Sequence, residues 1–267
     1  KGIKTMAGRK KTNKKTMIII IIAAAVVLLG GAGAGMWLYF GGQNTAPEPV
    51  QADPEEAQKD YEEMQEEAVT ENDDPMQRKI DFEALREINP DVYAWIWIPG
   101  TNIDYPILQS AVEADDYYLN TTIDGKKGYP GSIYTEKYNT TSFTDPVTVV
   151  YGHELKNGTM FSELHSYMDR EFFDSYPYIY IYTPDQTLKY QIFAAVAFDD
   201  RYILGSYNFM DVDDFQKYLD ELRSSIDGNV NQDVEVTQDT KILTLSTCIS
   251  EYPDQRWLVN GTLVDAQ

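Results

Sequence analysis

Three side chains of this sequence have the types and the placement that covalent catalysis requires. Cys248, the only cysteine among 267 residues, ends an apolar run of β-forming residues at 241–248, and Arg256 follows after a short polar turn. His153 follows directly after another apolar run, 147–151. A cysteine attacks as its thiolate, which a neighbouring imidazole helps to form, and a guanidinium can stabilise the resulting oxyanion. The pattern indicates a thiol nucleophile, an acid–base histidine and an oxyanion donor.

The same residues also fit a purely structural interpretation, which the chemistry alone leaves open. Cys248 would then be a buried filler, His153 a hydrogen-bonded core residue, and Arg256 a surface cation paired with an acid. His165, the only other histidine, lies in a predicted helical segment at 159–168 and is predicted to be a surface or packing residue. Two histidines and one cysteine, with no CxxC, HExxH or glycine-rich phosphate motif, predict neither a metal site nor a cofactor.

The elements that would position these side chains are mostly strands. Eight short apolar runs bounded by Gly, Pro, Asn or Asp predict a mainly β barrel or sandwich. A helical pattern at 82–88 precedes the strands, and two more interrupt them, at 159–168 and at 212–226, the last between the sixth and seventh strands. The predicted strands lie around residues 95–97, 103–109, 131–136, 147–151, 178–182, 188–198, 241–248 and 256–264.

The N-terminal part of the sequence predicts a membrane anchor. Residues 1–16 are lysine-rich, and residues 17–40 form an uncharged stretch that would span about 36 Å as a helix, enough for a bilayer core of about 30 Å. The positive-inside rule then predicts a cytoplasmic tail at 1–16 and an extracellular body from residue 41 onward. A cleaved signal peptide is the alternative, because the small residues 32–34 resemble a cleavage site. The aromatic end of the stretch favours the retained anchor.

Residues 41–79 are predicted to be an acidic extracellular spacer. The segment has scattered apolar residues such as Tyr61 and Met64, which are too few to predict a buried face, so it is interpreted as a partly helical solvated stalk. A helix that binds a partner is the alternative. The catalytic domain is predicted to occupy residues 80–267.

The domain at 80–267 also contains a set of short motifs in a fixed order. They are YPILQ at 105–109, YLN at 118–120, GSI at 131–133, YGH at 151–153, GTMF at 158–161, and TLSTC at 244–248 with Arg256 downstream. With these motifs the sequence resembles the class B sortases of Gram-positive bacteria. The long helix predicted at 212–226 favours class B over class A.

The resemblance implies an eight-stranded β-barrel transpeptidase with Cys248 as nucleophile. His153, as imidazolium, would protonate the departing amine, and Arg256 would hold the substrate and the oxyanion. Some relatives have an acid directly after the cysteine, where this chain has Ile249, so a mechanism that depends on that carboxylate is not expected here. The substrate groove implied by the resemblance comprises Asn120, Tyr151, Tyr202, Ile203, Ser246 and Thr247.

The partners implied by the resemblance are secreted proteins with a C-terminal sorting signal, cleaved after a threonine. The acceptor would be an amine of a lipid-linked peptidoglycan precursor or, in a pilin-polymerising enzyme, a lysine amine. A hydrolytic cysteine peptidase and a catalytically idle binding domain remain alternatives. A nucleic-acid partner is disfavoured, because 43 acidic residues oppose 22 basic ones and phosphate binding needs a positive face.

Overall fold

The computed structural model describes residues 51–267. The predicted cytoplasmic tail at 1–16 and the predicted membrane anchor at 17–40 lie outside the described residues, as does the beginning of the predicted spacer. Among residues 51–267, no helix combines the length and the apolar character that crossing a membrane requires.

Eight of the strands close into a barrel, as the family resemblance implies. The strands of the described chain are β1 (Val69–Thr70), β2 (Lys79–Ile80), β3 (Val92–Trp97), β4 (Asp104–Leu108), β5 (Ile133–Thr135), β6 (Val147–Tyr151), β7 (Tyr178–Tyr182), β8 (Thr187–Asp199), β9 (Gly228–Val230), β10 (Ile242–Cys248) and β11 (Gln255–Ala266). Around the barrel the order is β3–β4–β5–β6–β10–β11–β8–β7, and the pairing of β7 with β3 completes the ring. The short β9 adds to β8, and β1 and β2 form a separate two-stranded ladder.

The helices lie on the outside of the barrel and at its ends. The α-helices are α1 (Pro54–Ala68), α2 (Phe82–Ile88), α3 (Arg170–Ser175), α4 (Ile203–Ser206) and α5 (Val212–Arg223). Three 3₁₀ helices, Pro75–Gln77, Tyr117–Asn120 and Ser162–Met168, complete the set in the described part of the chain. The sequence predicts the inserted helices at 159–168 and 212–226; the first of them is a 3₁₀ helix, and the second ends at Arg223.

β10 lies between a parallel neighbour, β6, and an antiparallel neighbour, β11. Alternate residues of a strand face opposite sides of the sheet. Leu243 and Leu245 belong to the main hydrophobic cluster inside the barrel, whereas Ile242 belongs to a second cluster on its outer face. A strand that is covered on both faces needs apolar residues at successive positions, which explains the adjacent Ile242 and Leu243 at the start of β10.

α5 contributes four buried side chains to the second hydrophobic cluster, on the outer face of the barrel. Asp211 caps this helix by accepting hydrogen bonds from the amides of Asp213 and Asp214, and the helix then buries four side chains at helical spacing against the barrel. The Tyr218 hydroxyl lies 2.9 Å from Thr244 Oγ1 in β10, so the helix is fixed to the strand that ends in Cys248. The buried side chains of α5 are Phe215, Tyr218, Leu219 and Leu222.

The prediction of a solvated spacer is wrong for residues 54–68. These residues form α1, which belongs to the same compact unit as the barrel. Tyr61 and Met64 join the main cluster, and Ala57 and Ala68 are also buried on the same helical face. The sequence pattern does not reveal this narrow stripe, because two of its four members are alanines and the other helix positions are mostly acidic or amide residues.

Candidate active site

The hairpin of β10 and β11 places a thiol and a guanidinium opposite each other. The pairing runs without a shift from Ile242↔Thr262 to Cys248↔Arg256. Directly opposed antiparallel residues point to the same face with Cβ atoms about 5 Å apart. Cys248 is exposed and its thiol is free, which excludes the buried-filler interpretation. Arg256 Nη1 donates to the carbonyls of Pro253 at 3.0 Å and Gln255 at 2.7 Å, so the turn supports the guanidinium.

His153 reaches the same end of the barrel from the neighbouring strand. β6 and β10 run parallel with Tyr151 opposite Ser246, and the Gly152 amide donates to the Ser246 carbonyl at 3.2 Å. β6 ends at Tyr151, and His153 follows two residues later at the end of the barrel where β10 ends in Cys248. The structure therefore brings the histidine, the cysteine and the arginine of the sequence motifs to one edge of the barrel.

Cys248 and Arg256 belong to the outer face by the alternation of their strands. Thr244, four residues before Cys248 on the same face of β10, contacts the α5 tyrosine outside the barrel. Leu258, two residues after Arg256 on β11, belongs to the outer cluster. The candidate site is thus an open site on the outer edge of the sheet, and the barrel core lies behind it.

The ring of His153 is half-buried and held from two sides. Its Nε2 lies 2.7 Å from the carbonyl oxygen of Leu119, and because a carbonyl only accepts, Nε2 carries a proton. The ring centroid lies 4.7 Å from that of Tyr129. Burial lowers the pKa of His153 below its ordinary value of 6.5, and the hydrogen bond to Leu119 offsets part of this effect. The neutral ring is therefore the favoured form at neutral pH.

The second histidine, which is predicted to be a surface or packing residue, also contacts the candidate site. His165 Nε2 lies 3.0 Å from the carbonyl oxygen of Cys248, and Nδ1 lies 3.5 Å from Glu154 Oε1. No local pattern in the sequence distinguishes this histidine. Its position depends on the 3₁₀ helix Ser162–Met168, which packs against the hairpin through a hydrogen bond of 2.8 Å from Trp257 Nε1 to the Leu164 carbonyl.

Two of the predicted groove residues lie in an aromatic and acidic wall beside the site. Tyr151 stacks on Tyr134 with centroids 5.4 Å apart. Tyr202 is about half exposed (48%) and lies beside the carboxylate of Glu136. Burial raises the pKa of Glu136, and the nearby Asp115 and Asp116 raise it further, against the effect of the Tyr202 phenol. This wall can offer both ring faces and an acceptor to a peptide.

The other predicted groove residues are less accessible, except for Asn120. Asn120 is exposed at the end of its 3₁₀ helix. Ser246 is buried, but it lies on the same face of β10 as Cys248. Thr247 is buried on the opposite face of β10, and Ile203 is 5% exposed within the outer cluster. The structure therefore separates the Ile203 side chain from that of Tyr202, and Thr247 can line an outer groove only through its main chain.

The comparisons with known proteins agree with this fold and arrangement. The family described as the sortase domain matches residues 96–264. Sortase B of Listeria monocytogenes is 34% identical over 182 residues, which cover 67% of this chain and 72% of that protein. Sortase B of Bacillus anthracis superposes with a TM-score of 0.67 at 28% identity, covering 82% of this chain and all of that one. A Staphylococcus aureus sortase B–substrate complex gives 0.63 at 27% identity, covering 79% and 97% of the two chains.

The closed barrel, the thiol–guanidinium hairpin and these matches define a cysteine transpeptidase of the sortase type. The chain belongs to the sortase family and, within it, to class B.

Proposed function

We propose that this sortase cleaves a C-terminal sorting signal after a threonine and transfers the new carboxyl end to an amine. The observation that carries the proposal is the convergence of His153, Cys248 and Arg256 on one accessible edge of the barrel. A nucleophile, an acid–base group and a cationic donor at one edge are the parts that acyl transfer needs. The substrate is a secreted protein that bears such a signal.

In the first half of the reaction, the Cys248 thiolate attacks the threonine carbonyl. The S–C bond forms, the C–N bond of the scissile amide breaks, and the proton that left the thiol reaches the departing amine through the His153 imidazolium. The product is a thioacyl enzyme. The lowered pKa of His153 makes its imidazolium a strong proton donor but a minority form at neutral pH.

The second half reverses these proton movements. The amine attacks the thioester, the new amide C–N bond forms, the S–C bond breaks, and neutral His153 takes the surplus amine proton and returns it to the Cys248 thiolate. Burial of His153 favours this half, because the neutral ring is the base that the amine needs. The proposed acceptor is an amine of a lipid-linked peptidoglycan precursor, and a pilin lysine is the alternative.

Arg256 is the proposed oxyanion donor. Within the described residues its bonds to the Pro253 and Gln255 carbonyls engage Nη1, which leaves Nε–H and Nη2–H for the carbonyl oxygen of the substrate. A guanidinium whose position is already fixed by the turn loses little freedom when charge develops on that oxygen.

Asn120, Tyr151, Tyr202 and Ser246 are the proposed lining of the signal-peptide groove, with main-chain contributions from Ile203 and Thr247. The Tyr151–Tyr134 stack and the Tyr202–Glu136 contact give this lining a fixed shape. We further propose that residues 17–40 anchor the enzyme in the cell membrane with the catalytic domain outside. Both the signal-bearing substrate and a lipid-linked acceptor would then be held at the same surface.

The test is product analysis with the full chain, a panel of sorting-signal peptides and a panel of amines. Transpeptidation predicts an amine adduct of the threonine-ended fragment whose yield rises with amine concentration. Formation of the cleaved acid alone, whether or not amine is present, would contradict the proposal and identify a hydrolytic peptidase. The amine that gives the highest kcat/KM separates wall anchoring from pilin polymerisation.

A further inference from the structure

Glu154 joins the loop that follows β6 to the turn that follows Cys248. Its Oε2 accepts from the Ser250 amide at 2.8 Å and from the Ser250 hydroxyl at 2.7 Å. Glu154 is the residue directly after His153, and Ser250 is two residues after Cys248. The carboxylate thus links the main chain beside the proposed acid–base group to the main chain beside the proposed nucleophile. Hydrogen bonds to an ionised acceptor are stronger than neutral ones.

His165 fixes the nucleophile residue itself from a third segment. Its Nε2 donates to the Cys248 carbonyl at 3.0 Å, and the ring lies between that carbonyl and the Glu154 carboxylate. It also meets the Trp257 ring edge-on at 6.2 Å, and the Trp257 indole is bonded to the Leu164 carbonyl. The 3₁₀ helix Ser162–Met168 therefore contacts both strands of the hairpin, one residue from Arg256 and at Cys248.

We propose that Glu154 and His165 form a positioning pair that holds the Cys248–Ser250 turn in register with His153. The inference rests on the proposed function for its kinetic consequence. In this proposal neither side chain bonds to a reacting atom. His165 acts through the main chain of Cys248, and Glu154 acts through the main chain of Ser250. In acyl transfer, a misplacement of a reacting group by about 1 Å can lower the rate on the order of a hundredfold. Side chains that hold the main chain next to a nucleophile can therefore affect kcat without touching the substrate.

The experiment compares His165→Ala, His165→Gln and Glu154→Ala in the full chain. In His165→Gln the introduced side-chain amide nitrogen can reach the place of Nε2 and donate to the Cys248 carbonyl, so this is the rescuing substitution. Ser166→Ala is the matched control: Ser166 belongs to the same 3₁₀ helix but borders a separate pocket with Phe172 and Tyr176. The readouts are kcat and KM for transpeptidation, thermal stability, and hydrogen exchange of the Ser250 amide.

A positioning role predicts that His165→Ala and Glu154→Ala lower kcat by about tenfold to a hundredfold with KM changed less than about twofold. The Ser250 amide should exchange faster in both variants, and His165→Gln should recover most of the lost kcat. An unchanged kcat, a rise in KM alone, or equal losses for the Ala and Gln variants would overturn the proposal.

The exchange measurement separates this proposal from the proposed function. If wild-type protein makes no amine adduct, the proposed function fails, and the Ser250 exchange rates still report whether the pair holds the turn. If the adduct forms but His165→Ala leaves both kcat and Ser250 exchange unchanged, the positioning pair alone is refuted.

Discussion

The two histidines of this chain lie in different segments near the end of β10 and differ in what holds them. His153 is held through its own ring, by the Leu119 carbonyl and the Tyr129 ring, on a side with no carboxylate bonded to it in the described structure. His165 faces a carboxylate, Glu154, and contacts the main chain of Cys248 rather than its side chain. The surroundings of His153 disfavour positive charge on its ring, whereas the ring of His165 binds a main-chain carbonyl.

This difference suits the two rings to different roles. A ring that burial keeps neutral can exchange a proton with a reacting amine, because its lowered pKa lets the ring release the proton readily. A ring that is engaged by a peptide carbonyl and a carboxylate is suited to hold a geometry. The groups that surround each ring, and not residue type alone, are therefore the basis on which we propose His153 as the acid–base residue.

The largest expected effect comes from removing the first histidine. His153→Ala should lower kcat for transpeptidation on the order of a thousandfold, since general acid–base groups contribute about 10²–10⁴. His165→Ala should cost about a hundredfold or less. Steady-state kinetics on the two variants in parallel checks this order. Equal losses, or a larger loss for His165→Ala, would reverse the assignment of the two rings.

Arg256→Lys should lower kcat by about a hundredfold to a thousandfold, the usual cost of losing one oxyanion donor. The ammonium keeps the charge but cannot both bond the Pro253 and Gln255 carbonyls and present a planar pair of donors. The measurement is single-turnover acylation with a sorting-signal peptide. Near-native acylation by the lysine variant would refute the assigned role.

The acid side of the pH profile should report on His153. At a pH below the lowered pKa of His153 both ring and thiol are protonated and no thiolate forms, so kcat/KM should fall on an acid limb centred below pH 6.5. This limb should keep its position in His165→Gln. An acid limb centred above 6.5, or one that moves in His165→Gln, would contradict the comparison.

The smallest expected effect concerns stability. Burial lowers the pKa of His153 in the folded state below its ordinary value of 6.5. Near and below pH 6.5 the unfolded chain therefore binds more protons at this residue than the folded chain does. The contribution of His153 to the free energy of unfolding consequently falls as the pH drops below about 6.5. His153→Gln removes that proton uptake and should flatten the loss between about pH 6.5 and 5. Urea unfolding of wild type and variant across this range measures it; parallel curves would show that burial does not perturb the ring.

The strands and the β10–β11 hairpin were predictable because each is encoded locally, by apolar runs and by turn residues. The arrival of His153 at the end of the barrel where Cys248 lies was predictable only with the family resemblance, because it depends on a parallel pairing of strands about a hundred residues apart. The burial of α1 and the contacts of His165 were not predictable. Both depend on tertiary packing: an alanine-containing stripe that the barrel covers, and a 3₁₀ helix that is folded against the hairpin.

The most direct test of the central claim is to trap the acyl intermediate on the full chain. Wild-type protein mixed with a sorting-signal peptide in the absence of amine should gain the mass of the threonine-ended fragment, located at Cys248 by peptide mapping and released by added amine as the amide product. Cys248→Ala should gain no mass. Cleavage of the peptide with no adduct at Cys248, or an adduct that amine does not release, would contradict the account.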